Sequence, residues 1–278
     1  TNTRLLKSYA QLASGKKINT PSDDPLAVHG ILQYKRVISD TEQYQRNIQH
    51  AEGYLATSEA VISETTNNLS RLRELAVSQA TGTATPETRL DTSFEVGELF
   101  KELISTGNSK FGDRYLFAGY LSDTSPFNSA GVYGGDNNES ALQIGPLTNF
   151  TYGTTGNKLF KGVGFAAGVD IYQIVQDFKT ALEGDNTTGI QTAIGNLDNA
   201  LNQVDKVTAQ IGARINRIDT QKASLDGFLL EAQQLLSNAE DADFTSVTTE
   251  LALQQTTLEA LLASSSRVNS LNIFNFIR

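Results

Sequence analysis

Apolar residues recur at alternating spacings of three and four in two long segments, one in each half of the chain. A 3–4 spacing sustained in this way is typical of a helix that lies along other helices. The longer segment spans residues 194–239, which at 1.5 Å per residue makes a helix of roughly 70 Å. Its seam, interrupted only by Thr208 and Lys222, consists of Ile194, Leu197, Leu201, Val204, Ile211, Ile215, Ile218, Leu225, Leu229, Ala232, Leu236 and Ala239.

The N-terminal half repeats this spacing and predicts a second long helix, from about residue 26 to about residue 80. Asp24 suits the N-cap position, and Pro25 suits the first helical position. The two long helices are expected to pair side by side, so that the chain folds back on itself. The seam positions of this helix are Ile48, Ala51, Leu55, Ser58, Ile62, Thr65, Leu69, Leu72 and Ala76.

Shorter elements lie between and beyond these helices. Thr85 and Pro86 predict a helix to about residue 105, with Leu90, Phe94, Leu99, Phe100, Leu103 and Ile104 on its apolar side. Short apolar runs separated by Gly and Asn clusters indicate a small β module over residues 111–165. A helix over residues 169–182 follows, and a final helix begins near Asp243 or Thr245 and carries the chain towards its aromatic end.

These elements predict a mainly α fold with a small β insert. We expect an elongated rod of long antiparallel helices that carries the central β domain at its tip. The predicted segments are a terminal helix and connecting loop (1–25), the N-terminal half of the rod (26–110), the β domain (111–165), the C-terminal half of the rod (166–240) and a C-terminal assembly helix (241–278). The final helix is predicted at about 30 residues and its N-terminal counterpart at about 12, so we also expect sequence upstream of Thr1.

Composition narrows the range of functions. The formal charge is −9, from 22 basic and 31 acidic residues, which argues against nucleic acid and anionic membranes as partners. No apolar run approaches the roughly 20 residues that span a bilayer, and the start lacks the pattern of a cleavable signal peptide. Cysteine is absent. This absence suits a chain that needs no thiols, and equally a chain that must remain able to unfold without cross-links.

Candidate catalytic and ligand-binding residues have structural explanations. His29 and His50 fall on one predicted helix, roughly 30 Å apart, and cannot share a metal ion within one chain. Gly162 and Gly164, with Glu183 downstream, match a dinucleotide-binding spacing but lack its strand context, and a β-to-helix turn explains the two glycines. We therefore predict no enzymatic activity, no cofactor and no metal.

Two clusters of carboxylate residues also have a structural explanation. One consists of Asp23 and Asp24, and the other of Glu240, Asp241 and Asp243. An acid–base pair would need a pocket that separates the two pKa values, whereas negative charge at a helix N-terminus is favourable without one. We interpret both clusters as helix caps.

The terminal helices carry apolar stripes that two helices alone bury poorly. Assembly with other copies or other proteins would cover these stripes, and we predict an assembly interface at both chain ends. A loop rich in Gly, Pro and Asp joins the first helix to the second, and its candidate residues are Ser14, Gly15, Asn19, Asp23 and Asp24. The predicted interface comprises Leu5, Tyr9, Leu12, Leu251, Leu258, Leu261, Leu262, Val268, Leu271 and Phe274.

Several motifs resemble those of the flagellin superfamily, in the same order along the chain. The run from Leu12 to Asn19, followed by Ser22-Asp23-Asp24, resembles the flagellin "L-S-S-G-x-R-I-N…D-D" loop. Residues 69–77 and 211–217 resemble two further helical motifs of that superfamily. The stretch from Thr20 to Pro25, the run 115–119 and the aromatic C-terminus are similar to the hook-associated protein 3 (FlgL) family within it.

This resemblance implies a structural subunit at the junction between the hook and the filament of the bacterial flagellum. It implies export through the flagellar type III pathway, unfolded and without a cleavable signal peptide, to an extracellular location. The implied partners are the other junction protein (FlgK family), flagellin, an export chaperone (FlgN family) and copies of the chain itself in a ring.

Two alternatives and one weaker hypothesis stay open at the level of sequence. The chain could be a short filament flagellin, or it could carry an enzyme in its central insert, although no His-Glu-x-x-His motif is present. Arg71, Arg73 and Glu74 resemble the flagellin patch that an animal innate immune receptor reads.

Overall fold

A computed structural model describes residues 2–270 of the chain. Within this part the protein is mainly α-helical with four short strands, which confirms the predicted fold class. The elements are α1 (Asn2–Ser14), α2 (Pro25–Gln79), α3 (Pro86–Gly107), β1 (Lys110–Phe111), β2 (Arg114–Tyr115), β3 (Ala141–Gly145), β4 (Thr148–Thr151), α4 (Gly156–Lys161), α5 (Ile171–Glu183), α6 (Thr187–Glu240) and α7 (Phe244–Ser270).

Polar caps set the start of several helices where the sequence predicts them. Asp24 Oδ1 accepts hydrogen bonds from the backbone N–H groups of Leu26 and Ala27, so it caps α2. Thr85 forms a reciprocal capping box at the start of α3, which satisfies two backbone donors that the helix leaves free. Asp243, rather than Thr245, caps α7.

The chain divides into two compact units. The terminal unit consists of the described residues up to Glu42 and from Leu225 onwards, and the central unit spans Gln43–Ser224. The five predicted segments are consecutive ranges of the sequence, whereas each of the two units is a group of residues that contact one another. The division into five segments therefore remains a prediction.

The core of the central unit follows the predicted seams. All nine seam positions of α2 between Ile48 and Ala76 are buried. On α6 the seam positions at residues 197, 204, 211 and 218 are buried, and those at residues 194, 201 and 215 are half-buried. Ion pairs join α2 to α6 at Glu52–Lys222 and Arg73–Asp198. Since the partner numbers fall along α6 as they rise along α2, the two helices are antiparallel.

The apolar side of α3 differs from the prediction. Of the predicted residues, Leu90 and Phe94 are exposed, whereas Leu103 is buried and Leu99, Phe100 and Ile104 are half-buried. Ser93 and Val96, which were not predicted, are also buried. The buried side of α3 packs against α5, and smaller side chains on this side allow the two helices to approach closely. Apolar residue type alone therefore misassigned Leu90 and Phe94 in the first half of the helix and missed two smaller buried side chains.

The β region is smaller than predicted and consists of two separate two-stranded antiparallel sheets, β1–β2 and β3–β4. Residues 156–161 within the predicted β segment form α4, capped by Thr155 and ended by Gly162 in the left-handed conformation. Gly162 and Gly164 thus lie in the connection between α4 and α5 rather than in the β-to-helix turn that the sequence suggested, and the element directly before them is a helix, not a strand.

The β region also lies elsewhere than predicted within the central unit. Asn47 on α2 and Gln221 on α6 donate hydrogen bonds to the carbonyls of Gln143 and Ile144 on β3. The helical turns that follow α2 and α5 instead lie together, joined by the ion pair between Arg89 and Asp185. The predicted position at the tip is wrong because α3 returns the chain along α2 before the strands begin.

The terminal unit has little core of its own. Of the buried apolar residues in the described chain, only Ile31, Leu225, Ala232 and Val247 belong to it. Eleven of the nineteen large apolar side chains that are exposed in the described chain lie in this unit. No helix in the described part is both long enough and apolar enough to cross a membrane.

Candidate functional site: the terminal helix pair and its connecting loop

Helices α1 and α7 pack against each other in the terminal unit. Leu5, Ser8 and Leu12 of α1, at spacings of three and four, are half-buried or buried, as is Gln11 beside them. The matching positions on α7 are Val247, Leu251, Gln254 and Leu258. This seam is typical of paired helices, but two of its positions are polar, so the pair buries little apolar surface.

One polar group in this seam lacks a partner. The Nε2 atom of Gln254 donates to Glu250, but its Oε1 atom is buried and accepts no hydrogen bond from the described residues. An unsatisfied buried acceptor costs about 1–3 kcal/mol. Beside Gln254 lies a cavity of about 290 Å³ whose lining includes Arg4 and Leu253. The pair therefore offers both an acceptor and space to a neighbouring molecule.

The predicted interface residues fall into three groups. Leu5, Leu12, Leu251 and Leu258 are half-buried between α1 and α7. Tyr9, Leu261 and Leu262 are exposed, with Leu261 52% and Leu262 63% accessible, and the Tyr9 hydroxyl accepts a hydrogen bond from Gln255. The side chain of Val268, together with Leu271 and Phe274, lies outside the described residues.

Other exposed apolar residues of the terminal unit were not predicted. Every described side chain from residue 259 to residue 267 is exposed. The heptad spacing missed these additional apolar residues because they lie beside the seam rather than on it. Their apolar side chains were the signal in the sequence that could have identified them. They are Leu6, Leu26, Leu32, Phe228, Leu230, Leu235, Phe244 and Leu253.

The connecting loop begins where α1 ends and is hydrogen-bonded to the α6–α7 junction. Ser14 Oγ donates to the carbonyl of Ala10, and Gly15 follows with a φ of +71°, a conformation that favours glycine. The carbonyl of Gly15 accepts a hydrogen bond from the backbone N–H of Ala242, at 2.9 Å. This backbone bond ties the end of α1 to the segment just before α7.

Asp23 organises the interior of the loop. Its Oδ2 atom accepts hydrogen bonds from the backbone N–H groups of Asn19 and Thr20, and its Oδ1 atom lies 3.1 Å from Lys7 Nζ. The hydrogen bonds from the backbone of Thr20, the side chain of Lys7 and the backbone of Asn19 lower the pKa of Asp23 to about 2. Asp23 therefore closes the loop rather than capping a helix, whereas Asp24 is a cap as predicted.

Glu240 corrects the interpretation of the second acidic cluster. It is the last residue of α6, so it cannot cap a helix N-terminus. One carboxylate oxygen lies 2.8 Å from Lys16 Nζ and 2.7 Å from Lys35 Nζ, and its carbonyl accepts from the N–H of Lys17. Burial would raise the pKa of Glu240, but the hydrogen bonds and charges of the two lysines outweigh burial and lower that pKa.

The structure offers no metal site in the described residues, where no group of three or more His, Cys, Asp or Glu side chains is placed to hold an ion. His29 and His50 are both exposed on α2. Arg71 pairs with Glu74 and Glu95, and Arg73 pairs with Asp198. The motif over residues 69–77 thus contributes both core leucines and surface ion pairs.

Comparison with known families matches both ends of the chain. Residues 1–122 match the family described as the bacterial flagellin N-terminal helical region, and residues 194–277 match the bacterial flagellin C-terminal helical region. The unmatched stretch between them contains β3, β4, α4 and α5. The matched regions contain the long helices, the connecting loop and the terminal pair.

Individual relatives span nearly the whole chain at low identity. Flagellar hook-associated protein 3 of Escherichia coli is 25% identical over 97% of this chain and 92% of its own length. Flagellin FlaB1 of Treponema pallidum is also 25% identical, over 97% of this chain and 90% of its own length. The crystal structure of flagellar hook associated protein-3 from Legionella pneumophila superposes with a TM-score of 0.68 at 18% identity, and covers 75% of this chain and 98% of that one.

Proposed function

Because the chain belongs to the flagellin superfamily, we propose that it is a structural subunit of the bacterial flagellum that forms the hook–filament junction. The observation that carries this proposal is the terminal unit, whose helix pair exposes apolar side chains and an unsatisfied acceptor. Surfaces of this kind are covered by other subunits in an assembly. The relatives named as hook-associated protein 3 support the junction over other positions in the flagellum.

Assembly supplies the burial that the terminal unit lacks. Covering a large apolar side chain contributes about 1.5–3 kcal/mol, and several such side chains lie on α7 alone. We propose that the terminal helices form coiled-coil contacts with copies of the chain in a ring, with the FlgK-family junction protein on one side and flagellin on the other. The role is structural, and we assign no catalytic residue.

Export follows from the same proposal. The subunit would pass through the flagellar type III pathway unfolded, without a cleavable signal peptide, and would act outside the cell. A FlgN-family chaperone would hold it before export. A terminal unit with little core suits this route, because its helices gain most of their burial only on assembly.

A filament flagellin is the second candidate, because flagellin FlaB1 is as similar in identity as the hook-associated relative. The two roles differ in self-assembly. Purified flagellin polymerises into long filaments, whereas we expect this chain to form none by itself under electron microscopy. Long filaments of the pure chain would favour the flagellin role.

Gene deletion with complementation tests the junction role in the source bacterium. We expect the deletion to abolish filaments and to release flagellin monomers into the medium, and the wild-type gene to restore filaments. The double variant Leu261→Asp/Leu262→Asp should fail to restore them, because two exposed apolar contacts become charged. Its matched control on the same helix is Ser264→Asp/Ser265→Asp, which should restore filaments.

The possible outcomes test the junction role and the assembly surface on α7 separately. Normal filaments in the deletion strain would contradict the junction role itself. If the deletion strain loses its filaments and the leucine double variant restores them, the junction role stands. The face of α7 that carries Leu261 and Leu262 is then not part of the assembly interface. Circular dichroism of both purified double variants shows whether either one fails to fold.

A further inference from the structure

The connecting loop and the start of α2 form a groove of about 450 Å³ in the terminal unit. This volume lies within the range of roughly 300–1,000 Å³ in which proteins hold a drug-sized molecule, so the groove has room for two large side chains. Leu32 lines the groove and is 61% exposed, although Ile31 beside it is buried. The apolar part of the lining consists of Ile18, Pro21, Val28, Ile31 and Leu32.

The charges at this groove are mostly basic. Lys16 and Lys35 line it together with Glu240, whose single carboxylate both lysines share. Lys17 and Arg36 follow these lysines directly in the sequence, are exposed, and have no side-chain partner within residues 2–270. Both aspartates of the loop are already engaged in an ion pair or a helix cap. The groove therefore favours a partner surface that is apolar and acidic.

Helix α3 of the central unit presents such a surface. Leu90 and Phe94 are 45% and 66% exposed, and since they are four residues apart they lie on one face of the helix. Acidic residues flank this pair, and among them Glu87 and Asp91 have no side-chain partner in the described chain. The exposed charged residues from 87 to 102 are Glu87, Asp91, Glu95, Glu98, Lys101 and Glu102.

We propose that Leu90 and Phe94 of one copy of the chain dock into this groove of a second copy. An amphipathic helix binds an apolar groove through anchors at this spacing, and the carboxylates beside the anchors would meet Lys17 and Arg36. The exposed apolar residues of α6 and α7 match the groove less well, because fewer acidic residues flank them. The inference rests on the proposed function, because it assigns a contact between copies in the ring.

The two surfaces differ, so the contact is heterologous. Each copy would offer its groove to one neighbour and its α3 to another. Contacts of this type continue around a ring or along a helix, whereas a face that pairs with itself ends at a dimer. A ring of subunits therefore requires a contact of the heterologous type.

Paired cysteines test this contact directly, because the chain has no cysteine of its own. The gene with Leu32→Cys/Phe94→Cys is expressed in the deletion strain, and the isolated flagella are treated with a short bis-maleimide. We expect dimers and higher multimers of the chain on a denaturing gel. The control Leu32→Cys/Thr220→Cys places its second cysteine at an exposed position of α6 and should remain monomeric.

Further cysteine variants separate the possible geometries. Leu32→Cys alone and Phe94→Cys alone should each stay monomeric, because each surface contacts the other and not itself. Multimers of either single variant would indicate a face that pairs with itself, and an internally cross-linked monomer of the double variant would indicate a contact within one chain. Multimers of Leu32→Cys/Ile273→Cys without multimers of Leu32→Cys/Phe94→Cys would assign the groove to the C-terminal stretch. Each of these results would overturn the inference.

Charge reversal tests the electrostatic match in the same cysteine background. Lys17→Glu/Arg36→Glu should lower the yield of cross-linked multimers several-fold, because like charges then face each other. Glu87→Lys/Asp91→Lys should do the same, and the two pairs combined should restore the yield. A combined variant as poor as either pair alone would contradict the match. Circular dichroism of the purified variants shows whether each one folds.

Failure of this inference can be told apart from failure of the junction role. If Leu32→Cys/Phe94→Cys restores filaments but gives no multimers, the docking contact is wrong and the junction role stands. If the deletion strain keeps normal filaments, the junction role is wrong. Where no flagella can be isolated from the complemented strain, the cysteine pair is cross-linked in the purified chain at about 1 mM, and an absence of multimers there would likewise overturn the inference.

Discussion

At the scale of single residues, Glu240 occupies an electrostatically unfavourable position. A carboxylate in the last turn of a helix faces the negative end of the helix dipole. Its side chain is only 9% exposed, yet Lys16 from the loop and Lys35 from α2 share one of its oxygens. A buried charge is tolerated when paired in this way, and the pairing joins three segments of the terminal unit.

Glu240 and Asp23 predict how the stability of the terminal unit depends on pH. Both carboxyl groups have a lowered pKa in the folded protein, so their contribution is present above the ordinary pKa values of 4.5 and 3.8 and is lost as the pH falls through the folded values. We expect the urea-unfolding midpoint to fall on acidification below pH 4.5 and to continue falling towards pH 2.

Two variants separate these contributions. Glu240→Gln should cost about 1.5 kcal/mol at neutral pH, because both lysines are partly exposed and regain water, and it should flatten the upper part of the pH profile. Asp23→Asn should flatten the lower part. Asp40→Asn changes an exposed carboxylate on α2 and should reproduce the wild-type profile, and identical profiles for all three variants would contradict the assignment.

At the scale of elements, Arg89 joins the turns at one end of the central unit. Its side chain is 6% exposed and pairs with Asp185 in the α5–α6 turn. It also donates to the carbonyls of Gln79 and Thr81 in the α2–α3 turn, at 3.2 and 3.4 Å. One planar guanidinium thus satisfies acceptors from two turns, which a lysine ammonium cannot match in geometry.

We predict that Arg89→Ala lowers the free energy of unfolding by about 3 kcal/mol, because it leaves the two carbonyls unsatisfied and also removes the ion pair with Asp185. Arg89→Lys should be intermediate. Asp185→Asn should cost about 0.5 kcal/mol, since the side chain of Asp185 is nearly half exposed and water can replace it. Urea denaturation of the three variants measures these values, and equal losses for Arg89→Ala and Asp185→Asn would contradict the role given to the carbonyls.

At the scale of the whole molecule, the two units differ in what holds them together. The central unit buries long seams on α2 and α6, together with an aromatic cluster that includes Phe127, Phe160 and Tyr172. The terminal unit relies on a thin helix pair, the connecting loop and ion pairs. Regions with few buried apolar contacts open at lower free energy than the rest of a protein.

Hydrogen exchange of the monomer should therefore resolve the two units. We expect the amides of α1 and α7 to exchange orders of magnitude faster than those at residues 48–76 of α2 and 194–222 of α6. Assembly into flagella should slow exchange in α1 and α7 selectively. Equal protection of all four segments in a dilute monomer would contradict the idea that the chain ends are completed by neighbours.

The sequence predicted long-range order better than local faces. Nine seam positions from Ile48 to Ala76 were correctly placed in the core, because a repeat summed over many turns tolerates single exceptions such as Ser58 and Thr65. On the short helix α3 the same reasoning failed at Leu90 and Phe94. A helix of a few turns has too few positions for periodicity to outweigh what its neighbour requires.

Some features of the candidate site could be predicted from the sequence and others could not. The loop residues and the seam of α1 and α7 could be read from motif and spacing, whereas the clamp of Lys16 and Lys35 on Glu240 could not. Lys35 and Glu240 are 205 residues apart in the sequence. Nothing in the local sequence distinguishes a lysine that pairs with a carboxylate from one that faces water.

The sequence by itself determined the helical class, the helix ends with their polar caps, and the apolar seams, because propensity, capping and periodicity act between residues a few positions apart. Only the tertiary structure decided that the strands lie along α2 and α6, that Arg89 and Glu240 join separate segments, and which side of α3 is packed. These features depend on which surfaces meet in space, and that choice minimises unpaired charge and exposed apolar area over the whole fold.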